Sequence, residues 1–226
     1  MKTCILTLCI FAVTVTAART ADKSSAPVRD LGVSSSYGVS AQIFDEVVQL
    51  ADLENGVGPF LTTTLSNCQK HAEKTGRSAQ SIANLRGNWL EYGMLLALKY
   101  HKLTPAYFQA EVKVVPNARN DVMVWSKEHG PIIISCKTSL RERYKQADLE
   151  AVALKAHYPD ARFFLVTIDP DKQHVDRVRK KIADKEVVAL QAIYDETDIG
   201  GLFDFLKTVT LTEFPSDAFK DGKVVR

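Results

Sequence analysis

Cysteine is scarce in this 226-residue chain: there are four, and two of them, Cys4 and Cys9, fall in the extreme N-terminal apolar segment. Cys68 and Cys136 alone cannot build a disulfide framework, so the core must carry the stability. An excess of either charge is also missing, with 29 Lys plus Arg against 27 Asp plus Glu and a net of +2. An anionic partner, nucleic acid included, would have to be held by a local basic patch and not by a globally basic surface. Eleven Gly and eight Pro without a period exclude collagen, and no internal repeat is visible. The five histidines, His71, His101, His129, His157 and His174, are scattered without metal-ligand spacing, which marks them as surface or structural residues. What remains is ordinary globular composition, 46% hydrophobic, 25% charged and 8% aromatic, which excludes a disordered tail or a coiled coil and suffices for one sizeable core.

Residues 1–20 place Lys2 before an apolar run from Cys4 to Val15 and follow it with Thr16-Ala17-Ala18, the layout of a secretory signal peptide. The run is short for a bilayer span. A buried first helix, or an upstream start codon that adds residues foreign to the fold, are the other readings. The next methionines, Met94 and Met123, are too far along to start an intact domain, so a shorter product would have to initiate at a non-Met codon. Residues 21–40 are rich in Ser, Gly and other small residues and are expected to form a flexible arm. A single domain is expected over 41–226, with a helical lead-in at 41–77 and a catalytic core at 78–226.

The lead-in holds a short helix through Ile43, Val47, Val48 and Leu53, a break at Gly56-Val57-Gly58-Pro59, and a helix around Leu65 to Lys74. A long helix follows from Ser78, its cap, to about Lys99, with Ile82, Leu85, Trp89 and Leu96 on its apolar side. Phe108, Ala110, Val112 and Val114 then alternate with Gln109, Glu111 and Lys113, the pattern of a half-buried strand. Asp121 to Ser126 and Pro131 to Thr138 read as two further strands joined by a turn at Glu128-His129-Gly130. A helix from Ser139 stops before Pro159, an almost wholly apolar strand runs from Arg162 to Ile168, a helix from Val175 to Ala183, and a strand from Val187 to Tyr194. This order describes an α/β domain with a mixed central sheet flanked by helices.

The chemistry concentrates between Asn120 and Glu150. An acidic residue, Asp121, starts one strand and Lys137 ends its hairpin partner, so the two side chains can meet at one edge of the sheet. Ser135 shares the face of Lys137, and Cys136 between them should point the other way as a buried free thiol. A carboxylate beside a lysine where two strands diverge can hold a divalent metal, orient a water and support charge on a phosphate. By spacing alone the pair reads first as an ordinary surface ion pair. Lys137 runs directly into Thr138-Ser139-Leu140-Arg141-Glu142-Arg143-Tyr144-Lys145-Gln146.

This segment resembles the PD-(D/E)XK nucleases, and within them the type II restriction endonucleases of the SsoII, EcoRII and NgoMIV group, which cut at sites containing CC and GG. In that group the acidic residue two before the lysine is commonly replaced by Ser, and a glutamate about thirteen residues later on the following helix supplies the carboxylate. Ser135 and Glu150 stand at those two positions. Glu150 also lies between Ala147 and Leu154, on the helix side that should face the sheet. The triplet Arg141-Glu142-Arg143 matches the group's base-reading motif: arginine donates twice to guanine O6 and N7, and glutamate accepts from cytosine N4. Upstream, Gln80-Ser-Ile-Ala-Asn-Leu-Arg-Gly-Asn-Trp-Leu-Glu91 looks like the group's N-terminal helix, in which Glu91 would complete the carboxylate cluster and Gln80 would reach the minor groove.

The resemblance implies a restriction-endonuclease-like core, Mg²⁺ held by Asp121 and Glu150, Lys137 and Glu91 beside it, double-stranded DNA as substrate, and a homodimer to read a palindrome. It also implies a cognate DNA methyltransferase as functional partner and a cytoplasmic location. The signal-like N-terminus conflicts with that location and points instead to a secreted or periplasmic nuclease without sequence specificity. A catalytically silent DNA-binding module is the third reading. Two departures stand out: Asp121 and Lys137 are only sixteen residues apart, which implies a tight strand connection, and no Pro precedes Asp121. The basic stretch from Lys172 to Lys185 is expected to be solvated, or to touch phosphates.

Overall fold

The computed structural model describes residues 26–33, 38–115 and 118–226. The signal-like segment 1–20 lies outside the described residues. Within the expected arm, Pro27–Asp30 forms a short helix, α1, started by a proline whose missing N–H costs nothing in the first turn. Val28, Leu31 and Val33 are buried in the main core, and Val28 N–H donates to Asp45 Oδ1 at 2.7 Å. Three apolar residues among small polar ones are thus enough to dock this piece, so packed chain begins ahead of Ala41.

Helix α2 spans Val39–Val47 and a single 3-10 stretch covers Leu50–Asn55. Helix α3 runs over Val57–Lys74, so the expected break at 56–59 is instead its beginning. Pro59 sits in the first turn, where no N–H is needed, and Gly56 turns the chain with φ of 104°. Helix α4, Ala79–Tyr100, begins where Ser78 caps it, the hydroxyl accepting from Ser81 N–H. Its fully buried Trp89 donates its indole N–H to Ser40 O at 3.1 Å, which satisfies the one polar atom that burial would strand.

The sheet has seven strands: β1 Ala106–Val112, β2 Arg119–Ser126, β3 Gly130–Lys137, β4 Arg162–Thr167, β5 Ala192–Tyr194, β6 Leu211–Thr212 and β7 Phe219–Val225. Their order is β5-β4-β3-β2-β1-β7, with β6 on one end of β2. Pairing is parallel from β3 through β4 to β5 and antiparallel from β3 through β2 and β1 to β7, so the sheet is mixed as expected. Helix α5, Arg143–Lys155, starts four residues later than Ser139, and α6, Lys172–Ala183, starts at its Asp171 cap. The strand expected over 187–194 is reduced to three residues, because Val188, Ala189 and Leu190 give their N–H groups to Asp148 and not to a neighbouring strand. Helix α7, Gly200–Thr208, and the strands β6 and β7 were not anticipated.

The two faces of the sheet carry separate clusters. Val122, Val124, Ile132, Ile134 and Cys136 pack with α1 to α4 and α7 on one side. Met123, Ile133, Phe163 and Leu165 pack with α5 and α6 on the other. Among the described residues no helix is long and apolar enough to cross a membrane.

Candidate active site

The site lies where β2 and β3 part. Their ladder runs from Ser126–Gly130 to Val122–Ile134, a tight connection that accounts for the short spacing between Asp121 and Lys137. Beyond it the Asp121 side chain takes over the role of acceptor. Its Oδ2 receives Cys136 N–H at 2.8 Å, Ser135 Oγ–H at 3.2 Å and Lys137 Nζ at 2.8 Å. Three donors on one oxygen leave Oδ1 without a protein donor among the described residues. The ion pair is mostly enclosed, with side-chain exposures of 17% for Lys137 and 14% for Asp121. Burial alone would depress the Lys137 ammonium, but the charge and hydrogen bond of Asp121 outweigh it, and its pKa is raised. Lys137 is therefore a cation throughout the neutral range.

Cys136 is buried and free, and joins the cluster on the opposite face from Ile133 and Met123, as the alternation required. Burial, followed by the charges of Asp121 and Glu91, raises its pKa well above the ordinary thiol value, so it is no nucleophile.

Glu91 reaches the same edge from α4. It is 7% exposed, and burial, reinforced by the negative charge of Asp121, pushes its pKa up to about 8. Its Oε2 accepts from Gln109 Nε2 at 2.7 Å. Gln109 is a residue that sequence reasoning missed. The pairs Phe108–Val122 and Ala110–Asn120 set it opposite Asp121 on the neighbouring strand. Its backbone is left-handed, with φ of 48°, and the register between β1 and β7 shifts between Phe108 and Glu111. The simple alternation expected for this strand therefore fails at Gln109: Phe108 packs with the α1 to α4 layer, while Tyr107, Ala110 and Val112 all pack on the other face. No pattern in the sequence announces that bulge.

Glu150 is half-buried on α5, whose Ala147, Ala151 and Leu154 face the core. Its Oε1 accepts from Gln146 Nε2 at 2.9 Å, and its charge is felt at Lys137. Among the described residues no three His, Cys, Asp or Glu side chains converge closely enough to hold a metal ion. The available donors still suit Mg²⁺, which takes oxygen ligands, needs only one or two carboxylates and keeps several waters. Asp121 Oδ1 and the Glu150 carboxylate are the oxygens that could hold such an ion.

Arg141, Glu142 and Arg143 are all exposed at the turn into α5, where Glu142 pairs with Lys145. Arg141 is left-handed, with φ of 33°. Gln80 is exposed in the first turn of α4, bonded to Asn84 at 3.2 Å, and lies ~16 Å along the helix from Glu91 at 1.5 Å per residue. The basic stretch 172–185 is largely neutralised within the chain: Arg179 pairs with Asp176, Asp195 and Asp198, Lys180 with Asp184, Lys181 with Glu186 and Lys172 with Glu196.

A mixed seven-stranded sheet with helices on both faces and a strand-edge Asp–Lys pair at the divergence of two antiparallel strands defines a restriction-endonuclease-like fold. The restriction endonuclease PspGI, solved in complex with substrate DNA, shares it: the match covers 80% of this chain and 86% of that one, with a TM-score of 0.53 at 13% identity. The type IIP restriction endonuclease Kpn2I is also similar, over 80% of this chain and 69% of that one, with a TM-score of 0.43 at 12% identity. No protein-family model and no curated protein matches the chain.

Proposed function

We propose that the chain is a Mg²⁺-dependent type II restriction endonuclease, which hydrolyses phosphodiester bonds of double-stranded DNA at a palindromic site containing CC and GG dinucleotides. The observation that carries the reading is the enclosed Lys137–Asp121 pair, 2.8 Å apart at the sheet edge, with the exposed Arg141-Glu142-Arg143 turn only four residues downstream. Chemistry and base reading are thereby held on one short stretch of backbone.

In this reading Lys137, a permanent cation, orients the attacking water and offsets charge building on the phosphate. Asp121 and Glu150 hold Mg²⁺, which supplies Lewis-acid stabilisation of the reacting phosphate when bound. Glu91 orients the cluster from the α4 side. Arg141 and Arg143 donate to guanine edges, Glu142 accepts from cytosine, and Gln80 contacts the minor groove. A palindrome needs two such turns, so the enzyme acts as a homodimer, with a cognate methyltransferase as functional partner in the cytoplasm.

The test is incubation of the protein with unmethylated plasmid and Mg²⁺, followed by sequencing of the fragment ends. Discrete ends sharing a CC/GG site support the reading, and a smear assigns the chain to non-specific nucleases. Lys137→Ala should lower cleavage at least ~10³-fold while changing DNA affinity less than about threefold. Intact plasmid with retained binding in the wild type would leave the silent binding module.

A further inference from the structure

The turn that carries Arg141-Glu142-Arg143 is pinned from beneath, at Leu140, by a residue 29 positions further along the chain. Leu140 is fully buried, and its N–H donates to Asp169 Oδ2 at 2.7 Å. Its carbonyl accepts from Arg143 N–H at 2.6 Å. With side chain, amide and carbonyl all fixed, Leu140 leaves the chain one way to continue, and Arg141 takes the left-handed turn at φ of 33°. An L-residue held there without glycine's freedom stores strain, which persists only where surrounding contacts determine it.

Asp169 is itself 6% exposed and forms no ion pair among the described residues. Each oxygen has its own backbone donor: Oδ2 takes Leu140 N–H, and Oδ1 takes Asp171 N–H at 2.9 Å. Its own N–H donates to Thr167 Oγ1 at 3.1 Å. Thr167 ends β4 and stands in register with Lys137 at the end of β3. A continuous path of backbone and hydrogen bonds thus runs from the catalytic edge through Thr167 and Asp169 to Leu140 and the exposed turn. Asparagine could not replace Asp169, since its single carbonyl oxygen cannot serve two divergent N–H groups and its NH₂ would face one of them.

We infer that Asp169 is a positioning residue for sequence specificity: through Leu140 it fixes the Arg141-Glu142-Arg143 turn relative to Lys137. The inference rests on the reading of that triplet as the base-reading element. Its experiment uses the full chain, wild type and Asp169→Asn, with two readouts. The first is hydrogen exchange of the Leu140 amide. The wild type should protect it at least ~100-fold relative to an open loop, and Asp169→Asn should lower that protection at least about tenfold. The second is plasmid cleavage with end sequencing. The ratio of cutting at the consensus to cutting at sites with one altered G·C pair should fall at least about tenfold in Asp169→Asn.

Simple destabilisation would reduce cutting at all sites alike and leave that ratio unchanged, which would overturn the inference. Exchange of Leu140 at the open-loop rate in the wild type overturns it as well, and needs no variant that must fold. Wild-type fragments without any consensus sink the base-reading assignment, and the specificity role of Asp169 with it. A wild-type consensus with an unchanged ratio in the variant sinks the role of Asp169 alone.

Discussion

Gln109 and Glu91 form a hydrogen-bonded couple 2.7 Å long across two layers of the fold, one partner on a bulged strand and the other on the long helix behind it. The couple brings a second carboxylate to the edge occupied by Asp121 and Lys137, and it keeps that carboxylate from being wholly stranded in the core. Burial still dominates, which makes Glu91 a carboxylic acid that is largely protonated near pH 7.

The stability of the metal-free protein should fall as pH rises because of Glu91. Between the ordinary carboxylate range near 4.5 and about 8, the folded state holds a proton that the unfolded chain has released. Stability therefore declines across that window by up to on the order of 1 kcal/mol per pH unit. Glu91→Gln removes this dependence. Melting temperatures of the two proteins should converge below pH 4.5 and diverge in favour of the variant at pH 8; parallel curves would refute the assignment.

Loss of the Gln109 amide should move the Glu91 titration further from normal, since its hydrogen bond to the ionised form is one of the influences that lower the pKa. In Gln109→Leu the Glu91 carboxyl, followed by carbon-13 NMR, should titrate above about 8. Gln109→Gly separates the two roles of the residue: it relieves a backbone at φ of 48° while removing the same donor. It should match Gln109→Leu in titration and exceed it in melting temperature.

Glu150 should matter to cleavage far more than to folding. Among the described residues its only side-chain hydrogen bond is from Gln146 on its own helix, so Glu150→Ala should change stability by no more than ~0.5 kcal/mol. Cleavage should fall at least ~100-fold and require higher Mg²⁺. Equal losses in stability and activity would make it a structural residue.

Gly222 tests the bulge from the other side. A Cβ there would lie 2.9 Å from Ala110 Cα, and its φ of 141° is a conformation that L side chains rarely adopt. Gly222→Ala should cost about 1–3 kcal/mol in chemical denaturation. It should also reduce cleavage in the surviving folded protein, because Ala110 follows Gln109 directly. Unchanged activity at full occupancy of the fold would detach β7 from the site.

Much of the site was legible in the chain because it is local. Asp121 and Lys137 end two strands joined by a tight turn, so period and turn chemistry alone bring them to one edge and send Cys136 to the other face. Ser78 as a cap, the α4 stripe and the apolar β4 strand are equally short-range features. Other parts depend on groups distant in sequence, for which local pattern carries no information. The arm-like segment is held because Val28 finds Asp45 and the core. The bulge at Gln109 exists because β7 returns to pair with β1 from more than a hundred residues away. Spacing puts Glu150 on the helix that follows Lys137, but that its carboxylate accepts from Gln146 on the same helix is a fact of the folded side chains. The sequence by itself determined most of the elements from α2 to α6, the two faces of β3 and the identity of the strand-edge pair. Only the tertiary structure decided the burial and protonation of Glu91, the strained backbone of Gln109 and the clamp of Asp169 on Leu140, since each arises from desolvation or hydrogen bonding between segments that meet only when the chain is folded.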